Sequence, residues 1–340
     1  MPEPLLEVRD LVKHFPLPRT LLDAALGRPR AKVRAVDGVS FELTRGKTLG
    51  LVGESGCGKS TLGRCILRLH DADQGEVRFD GIDLVGLREE DLLPYRKRLQ
   101  VVFQDPYSSL NPRQTVGNTL LEVLDVHRIG TPGERRRRVA HLLAQVGLTP
   151  GDSHKYPGEF SGGQRQRIGI ARALAVEPEL LIADEPLSAL DVSIQAQILQ
   201  LLLDLRASLG LTMIFISHDL RVVRYLSDDV AVMYLGKIVE QASTVDLFAR
   251  PQHPYTIALL SAVPEVGEIH REEVPIEGEP PSAVRIPRGC RFHPRCPWKI
   301  DRCLHESPKL KEILPGHIVA CHVAEARQAP GNEVEPEAGP

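Results

Sequence analysis

The run Gly53-Glu54-Ser55-Gly56-Cys57-Gly58-Lys59-Ser60 constrains this chain more than any other feature. It has the spacing G-x-x-x-x-G-K-[ST], follows the apolar run Leu49 to Val52, and precedes the helical pattern Leu62, Cys65, Ile66, Leu69. A buried strand must therefore turn directly into a helix. Glycines let the backbone wrap closely around an anion, and the helix N-terminus adds a favourable dipole. Lys59 then supplies a point charge to the β and γ phosphates of a nucleotide, and the Ser60 hydroxyl faces Mg²⁺. A dinucleotide-binding reading of Gly56 and Gly58 fails, because the third glycine of G-x-G-x-x-G falls on Thr61. Cys57 fills a variable position of the loop, and Cys65 belongs to the core face of the helix.

Two further strand ends carry polar groups suited to the same chemistry. Leu180-Leu181-Ile182-Ala183-Asp184-Glu185 is an apolar strand ending in two acids, which places both at the carboxyl edge of a sheet, where open α/β folds bind ligands. Asp184 is expected to hold Mg²⁺ through its water shell, and Glu185 to orient and polarise an attacking water. Thr212 to Ile216 is a second apolar strand, ending in Ser217-His218-Asp219, and its position puts His218 beside the γ-phosphate.

Around these runs the chain divides by composition. Short β-rich segments, Val33 to Val36, Val39 to Leu43, Thr48 to Val52, Glu76 to Phe79 and Val101 to Phe103, fill the first 103 or so residues. From about 105 to 160, Pro-punctuated helices such as Val116 to Val126 and Glu134 to Val146 predict an inserted helical subdomain. The strand at 180–183, the helix Ile194 to Leu209 and the strand at 212–216 then alternate as in a parallel sheet. Val230 to Leu235 and Lys237 to Val239, split by Gly236, read as a terminal hairpin. After about 250 the chain turns rich in Pro, Cys and His, a separate small module over 251–325, and Ala326 to Pro340 has the composition of a disordered tail.

With 42% hydrophobic and 26% charged residues the chain has ordinary globular composition, and a formal charge of −3 gives no basic excess for nucleic acid. Arg135 to Arg138, followed by Val139, Leu142, Leu143 and Val146, form the solvated side of an amphipathic helix. No apolar stretch approaches the ~20 residues that span a bilayer, and the N-terminus lacks signal-peptide character. These features predict a soluble, cytoplasmic protein whose six cysteines serve packing or metal binding rather than structural disulfides.

Phe160-Ser161-Gly162-Gly163-Gln164, ahead of a helix predicted over Gln166 to Ala175, resembles the signature sequence of ABC ATPases. The resemblance implies an α/β P-loop ATPase over residues 1–250, with a mixed-sheet core, an antiparallel β subdomain and the helical insert. It implies that Gly53 to Thr61 bind ATP, and that Ser161, Gly162, Gly163 and Gln164 of one subunit complete the ATP site of an opposing subunit. Gln104 matches the glutamine that follows a strand and helps hold Mg²⁺ with Ser60 and Asp184. Ser188-Ala189-Leu190-Asp191 matches the loop by which two ATPases sense each other, His218 the switch histidine, and Phe15 the adenine-stacking aromatic, with a core role as the alternative.

The resemblance extends to the oligopeptide/dipeptide importer ATPases through Phe103 to Arg113 and through His253-Pro254-Tyr255-Thr256, covering residues 4 to 323. It implies an importer ATPase on the cytoplasmic face of the membrane, with a second ATPase subunit, identical or a paralogue, two permeases and an extracytoplasmic solute-binding protein. Nickel, glutathione and oligosaccharide importers share the signature. A soluble ABC ATPase of DNA repair or translation is the rival, lacking here its coiled-coil insert or second cassette. Cys290, Cys296, Cys303 and Cys321 follow C-x5-C-x6-C-x17-C in a segment with few apolar residues. Four thiolates suit a tetrahedral zinc or an iron–sulfur cluster, with free thiols or a regulatory disulfide as alternatives. The family resemblance favours a [4Fe–4S] cluster.

Overall fold

A computed structural model describes residues 3–18, 30–105, 107, 109–262, 274, 276 and 278–328. Two long strands open the chain, β1 (Pro4–Pro16) and β2 (Lys32–Thr44), paired antiparallel. The two runs expected at 33–36 and 39–43 are one strand, bent where Gly38 takes φ 85°. With β4 (Gln74–Phe79) and β5 (Ile82–Asp83) they form a four-stranded sheet in the order β2-β1-β4-β5. This is the expected antiparallel subdomain.

The second sheet has eight strands in the order β11-β12-β10-β9-β3-β8-β7-β6. Its parallel part is β9 (Asp229–Tyr234), β3 (Thr48–Val52), β8 (Thr212–Ser217), β7 (Leu180–Asp184) and β6 (Leu99–Val102). Alternate residues of these strands feed two cores, as the two-residue period of a strand requires. Leu49, Leu51, Leu180, Ile182, Ile214 and Ile216 face the core that also buries Leu62, Cys65 and Ile66 of the phosphate-loop helix Lys59–Ile66. Leu181, Ala183, Met213 and Phe215 face the other, which also takes Val116, Leu120 and Leu124 of the helix Val116–Val126 and Val139, Leu142 and Leu143 of the helix Pro132–Gln145. That packing explains the helical insert. Arg135 to Arg138 lie on the latter helix, as expected of its polar side, and Thr131 and Glu134 cap its start.

The hairpin at 230–239 is present, with Leu235 and Gly236 both at positive φ as a type I′ turn demands. It is not terminal. Strand β10 (Lys237–Ser243) pairs with β12 (His317–Val319), and β12 pairs with β11 (Lys311–Leu314). Strands of the C-terminal segment thus extend the central sheet. Composition concealed this because the segment borrows its core: Phe292, Cys290, Cys296 and Cys303 join the same apolar cluster as Tyr234 and Tyr255. Residues 326–328, expected to be disordered, end the helix His322–Gln328, and 329–340 lie outside the described residues.

A buried polar knot fastens this junction. Glu240, with no exposure, accepts from the backbone N–H groups of Gln252 (2.7 Å) and His253 (2.9 Å), and its carboxylate lies 2.7 Å from His317 Nε2. His253 Nδ1 accepts from the N–H of Tyr255 at 3.0 Å, capping the helix Pro254–Ser261. Burial lowers the His253 pKa from 6.5 to about 4. Its folded value being depressed, the unfolded chain takes up a proton that the folded chain refuses, so stability is full above pH 6.5 and is lost as pH falls toward 4. His253→Asn, which keeps a capping oxygen, is expected to remove this part of the acid limb, roughly 3 kcal/mol between those limits. Urea midpoints of both proteins across pH 4–7 check it; parallel pH profiles would count against the assignment.

The candidate ATP site

Three strands of the sheet end at one place. Parallel register sets Val52 of β3 beside Ser217 of β8, and Asp184 of β7 beside Ile216. The residues that follow therefore meet: the phosphate loop after β3, Glu185 after β7 and His218 after β8.

The loop is shaped by close approach. Gly53 has φ 150° and a Cβ there would lie 2.1 Å from the Met233 carbonyl oxygen; Gly58 has φ 111° and a Cβ would lie 1.9 Å from that of Ala35. No side chain fits at either position. Ser55 and Gly56 are exposed, whereas Cys57 is buried and burial pushes its thiol pKa up, consistent with a packing residue. Lys59 is only 4% exposed, and its Nζ donates to the carbonyls of Gly53 (2.7 Å) and Glu54 (3.0 Å). Its charge is thus held inside the loop by the loop's own backbone. Ser60 Oγ donates to Asp184 Oδ1 at 2.7 Å, and Thr61 follows in the helix.

Asp184 is buried at the end of β7, and desolvation raises its pKa, opposed by the Ser60 hydrogen bond. A carboxylate so placed favours a cation. With the Ser60 hydroxyl it offers hard oxygen donors of the kind that suit Mg²⁺. Glu185 takes φ 44°, an uncommon conformation for a residue with a side chain, while its N–H donates to the Ile216 carbonyl at 3.0 Å. Its Oε2 accepts from Gln104 Nε2 at 3.1 Å and lies 3.4 Å from His218 Nδ1. Two residues expected on separate strand ends thus converge on a single carboxylate oxygen. β6 ends at Val102 rather than Phe103, and Gln104 is exposed beyond it; Pro106 and Ser108 of that run lie outside the described residues.

The signature segment sits apart from this cluster. Ser161 and Gln164 cap the helix Gly162–Leu174 reciprocally, so the helix begins four residues before the expected Gln166. A Cβ on Gly162 would only touch Leu190 at 3.6 Å, whereas one on Gly163 would lie 2.4 Å from Ile194 Cγ2, so Gly163 also serves packing within its own chain. Ser188 Oγ donates to the Glu185 carbonyl at 3.0 Å, which ties the loop of exposed Ser188, Ala189 and Asp191 and half-buried Leu190 to the carboxylate strand. Phe15, near the end of β1, is half-buried and outside both cores; its ring meets His70 edge-on at 5.5 Å, with Lys13 Nζ 5.4 Å from the centroid.

The four C-terminal cysteines do gather, since charge on Cys290 and Cys303 acts on the thiols of both Cys296 and Cys321. They do not form the expected ligand set. Among the described residues, no group of three or more His, Cys, Asp or Glu is arranged to hold a metal, and all six cysteines are free. Burial pushes Cys296 up to about 12 and Cys321 to about 11. The [4Fe–4S] cluster and its zinc alternative are therefore unsupported. Their premise fails as well, because Phe292 and the tyrosines supply the apolar packing that a metal was expected to replace.

Sequence reasoning missed Arg295, whose guanidinium lies against Glu54 of the phosphate loop, with Nη1–Oε2 at 2.8 Å and Nη2–Oε1 at 2.9 Å. It also missed the role of Tyr255, whose hydroxyl accepts from the Glu54 N–H at 2.8 Å.

Comparison with known proteins agrees with this geometry. The ABC transporter family model matches residues 36–188, and that of the oligopeptide/dipeptide transporter C-terminal region matches 239–303. The chain is 52% identical over 325 residues to the oligopeptide transport ATP-binding protein AppF of Bacillus subtilis, covering 94% of this chain and 98% of that protein. A putative peptide import ATP-binding protein of Brucella ovis is 51% identical over 319 residues, covering 94% and 97%. Among solved structures, a dimeric ATP-binding cassette in a post-hydrolysis state with ADP and Pi superposes with TM-score 0.61 at 28% identity, covering 70% of this chain and 98% of that one. The cbiO1 protein of Clostridium perfringens, part of an ABC transporter complex, gives TM-score 0.61 at 27% identity, covering 73% and 92%. The chain belongs to the ATP-hydrolysing subunits of ABC transporters, in the oligopeptide/dipeptide importer family.

Proposed function

We propose that this chain drives import of di- or oligopeptides by binding and hydrolysing ATP beneath two transmembrane permeases, at the cytoplasmic face of the membrane. The observation that carries the ATPase part is the meeting of Gln104, Glu185 and His218 beside the Ser60–Asp184 pair. The peptide part is supported by the match over residues 239–303 and by the names of the relatives. Nickel, glutathione or oligosaccharide cargo is the alternative within the same transport class. Among the described residues no helix is long and apolar enough to cross a membrane.

In this reading Lys59 exchanges the loop carbonyls for the β and γ phosphates of ATP, and the N–H groups of 55–61 surround them. Ser60, Asp184 and Gln104 hold Mg²⁺, which when bound neutralises charge on the phosphate oxygens. Glu185 orients and polarises the attacking water, with Gln104 and His218 fixing its carboxylate. Phe15 stacks on the adenine. Ser161 to Gln164 complete the site of a second ATPase subunit, Ser188 to Asp191 report its state, and the helical segment after Gln104 passes closure to the permeases. An extracytoplasmic solute-binding protein delivers the cargo. No step runs through the C-terminal cysteines.

Native mass spectrometry of the assembled complex, followed by ATPase assays with solute-binding protein loaded in turn with peptide, nickel, glutathione or oligosaccharide, tests this function. Peptide-specific stimulation is expected. Stimulation by another cargo alone would reassign the substrate, and copurification with nucleic-acid machinery instead of permeases would overturn the transport role.

Glu185→Gln is expected to lower turnover by at least about 100-fold while preserving ATP binding and trapping a closed ATPase dimer, whereas Lys59→Ala weakens nucleotide binding itself. Equilibrium binding and steady-state hydrolysis on both variants separate the two roles. In a mixed dimer, Ser161→Arg on one subunit is expected to impair single-turnover hydrolysis at the opposite subunit's Lys59 site. Site-resolved damage confined to the mutated subunit would sink the head-to-tail arrangement. Ser161 is the better probe because it is exposed, whereas a side chain at 163 also collides with Ile194.

A further inference from the structure

One residue of the phosphate loop is held from three directions, and two of them come from the end of the chain. The Glu54 carbonyl accepts from Lys59 within the loop. Its N–H donates to the hydroxyl of Tyr255, a fully buried side chain on the helix Pro254–Ser261. Its carboxylate receives both arms of Arg295, on the single turn His293–Arg295, 241 residues later in sequence. The Arg295 side chain is 7% exposed and that of Glu54 24%, so the pair is largely shielded from water. Beneath it Tyr234, Tyr255 and Phe292 pack with ring centroids 4.7 to 5.4 Å apart, and Arg295 Nη1 reaches the Tyr234 hydroxyl at 3.4 Å. A second arginine of the same segment, Arg291, grips Asp37 and the Leu235 carbonyl, and Asp37 lies 2.7 Å from His14 Nε2, next to Phe15.

Such a fork fixes direction as well as distance, and a lone ammonium cannot reproduce it. A loop that binds phosphate through backbone N–H groups depends on those groups being aimed before the ligand arrives, because ordering them afterwards subtracts from affinity. The first variable position of the loop is where that order is imposed. We propose that Arg295, assisted by Tyr255, is a positioning residue for the phosphate loop, so that the C-terminal segment sets the affinity of the ATP site through Glu54. This rests on the ATPase reading and adds to it a contribution from outside the region that carries the nucleotide motifs.

The test uses the full chain assembled with its permeases, and measures KM and kcat for ATP together with the Kd for Mg-ATP. Arg295→Met keeps the stem and removes the fork; it is expected to raise KM and Kd about tenfold with kcat within about twofold. Arg295→Lys, with charge but no fork, is expected to recover only part of the loss. Tyr255→Phe deletes the hydroxyl alone and is expected to raise KM about threefold. Glu54→Gln combined with Arg295→Met is expected to be no worse than Arg295→Met, since both act through one contact. Unchanged KM and Kd in folded Arg295→Met protein, a fall in kcat at constant KM, or additive effects in the double variant would overturn the proposal. Should Arg295→Met fail to fold, Tyr255→Phe and Glu54→Gln decide it alone: affinity losses sustain it and wild-type affinity refutes it. Absence of ATP hydrolysis by the wild-type complex would instead strike at the functional reading, before any variant is compared.

Discussion

Everything at the ATP site depends on the parallel register of three adjacent strands. Because Val52 lies opposite Ser217 and Asp184 opposite Ile216, the first residues after β3, β7 and β8 emerge side by side. A slip of one residue would turn each strand's side chains to the opposite core and separate the acids from the loop. That register is fixed by burial on both faces, with Leu, Ile, Met and Phe residues alternating between two clusters. The stability of the sheet and the geometry of catalysis are therefore set by the same packing, and the strained φ of Glu185 is tolerated because its N–H is tied to β8.

The features legible in the sequence are those whose causes are local. The phosphate loop, the acids ending β7 and the polar end of β8 each lie within eight residues or so of the apolar run that positions them, and the helix Val116–Val126 has the predicted bounds. The start of the helix at Gly162 was harder to read, because glycines argue against helix and only the reciprocal Ser161–Gln164 cap reveals it. Nothing local signals Arg295 or the pairing of β10 with β12. Their partners lie far off in sequence, and three-residue β12 is too short to show a period. Scarcity of apolar residues after 250 suggests that the segment lacks a core, whereas it shares that of the sheet.

The C-terminal region is joined to the ATPase by contacts of different character. Strand pairing at β10 supplies backbone hydrogen bonds, the Glu240 knot satisfies buried polar groups with an adjoining turn, and the Tyr234, Tyr255 and Phe292 rings fill the space between. A buried carboxylate is costly unless its oxygens are engaged, and Glu240 reaches that condition only when 252, 253 and 317 are all in place. The join therefore forms as a unit, and partial docking would leave Glu240 exposed to the full desolvation cost.

The pairing of Glu240 with Val319 also governs when the molecule can finish itself during synthesis. A ribosome releases the phosphate loop, both acids and the histidine well before the strand that covers the edge of β10. Until about residue 319 has cleared the exit tunnel, β10 presents unpaired N–H and carbonyl groups and Glu240 has no His317, a nascent edge open to other chains. A message cut short between β10 and β11 would thus yield a chain with every catalytic group encoded and a sheet permanently lacking β12 and β11, a species for chaperones and proteases rather than for the membrane.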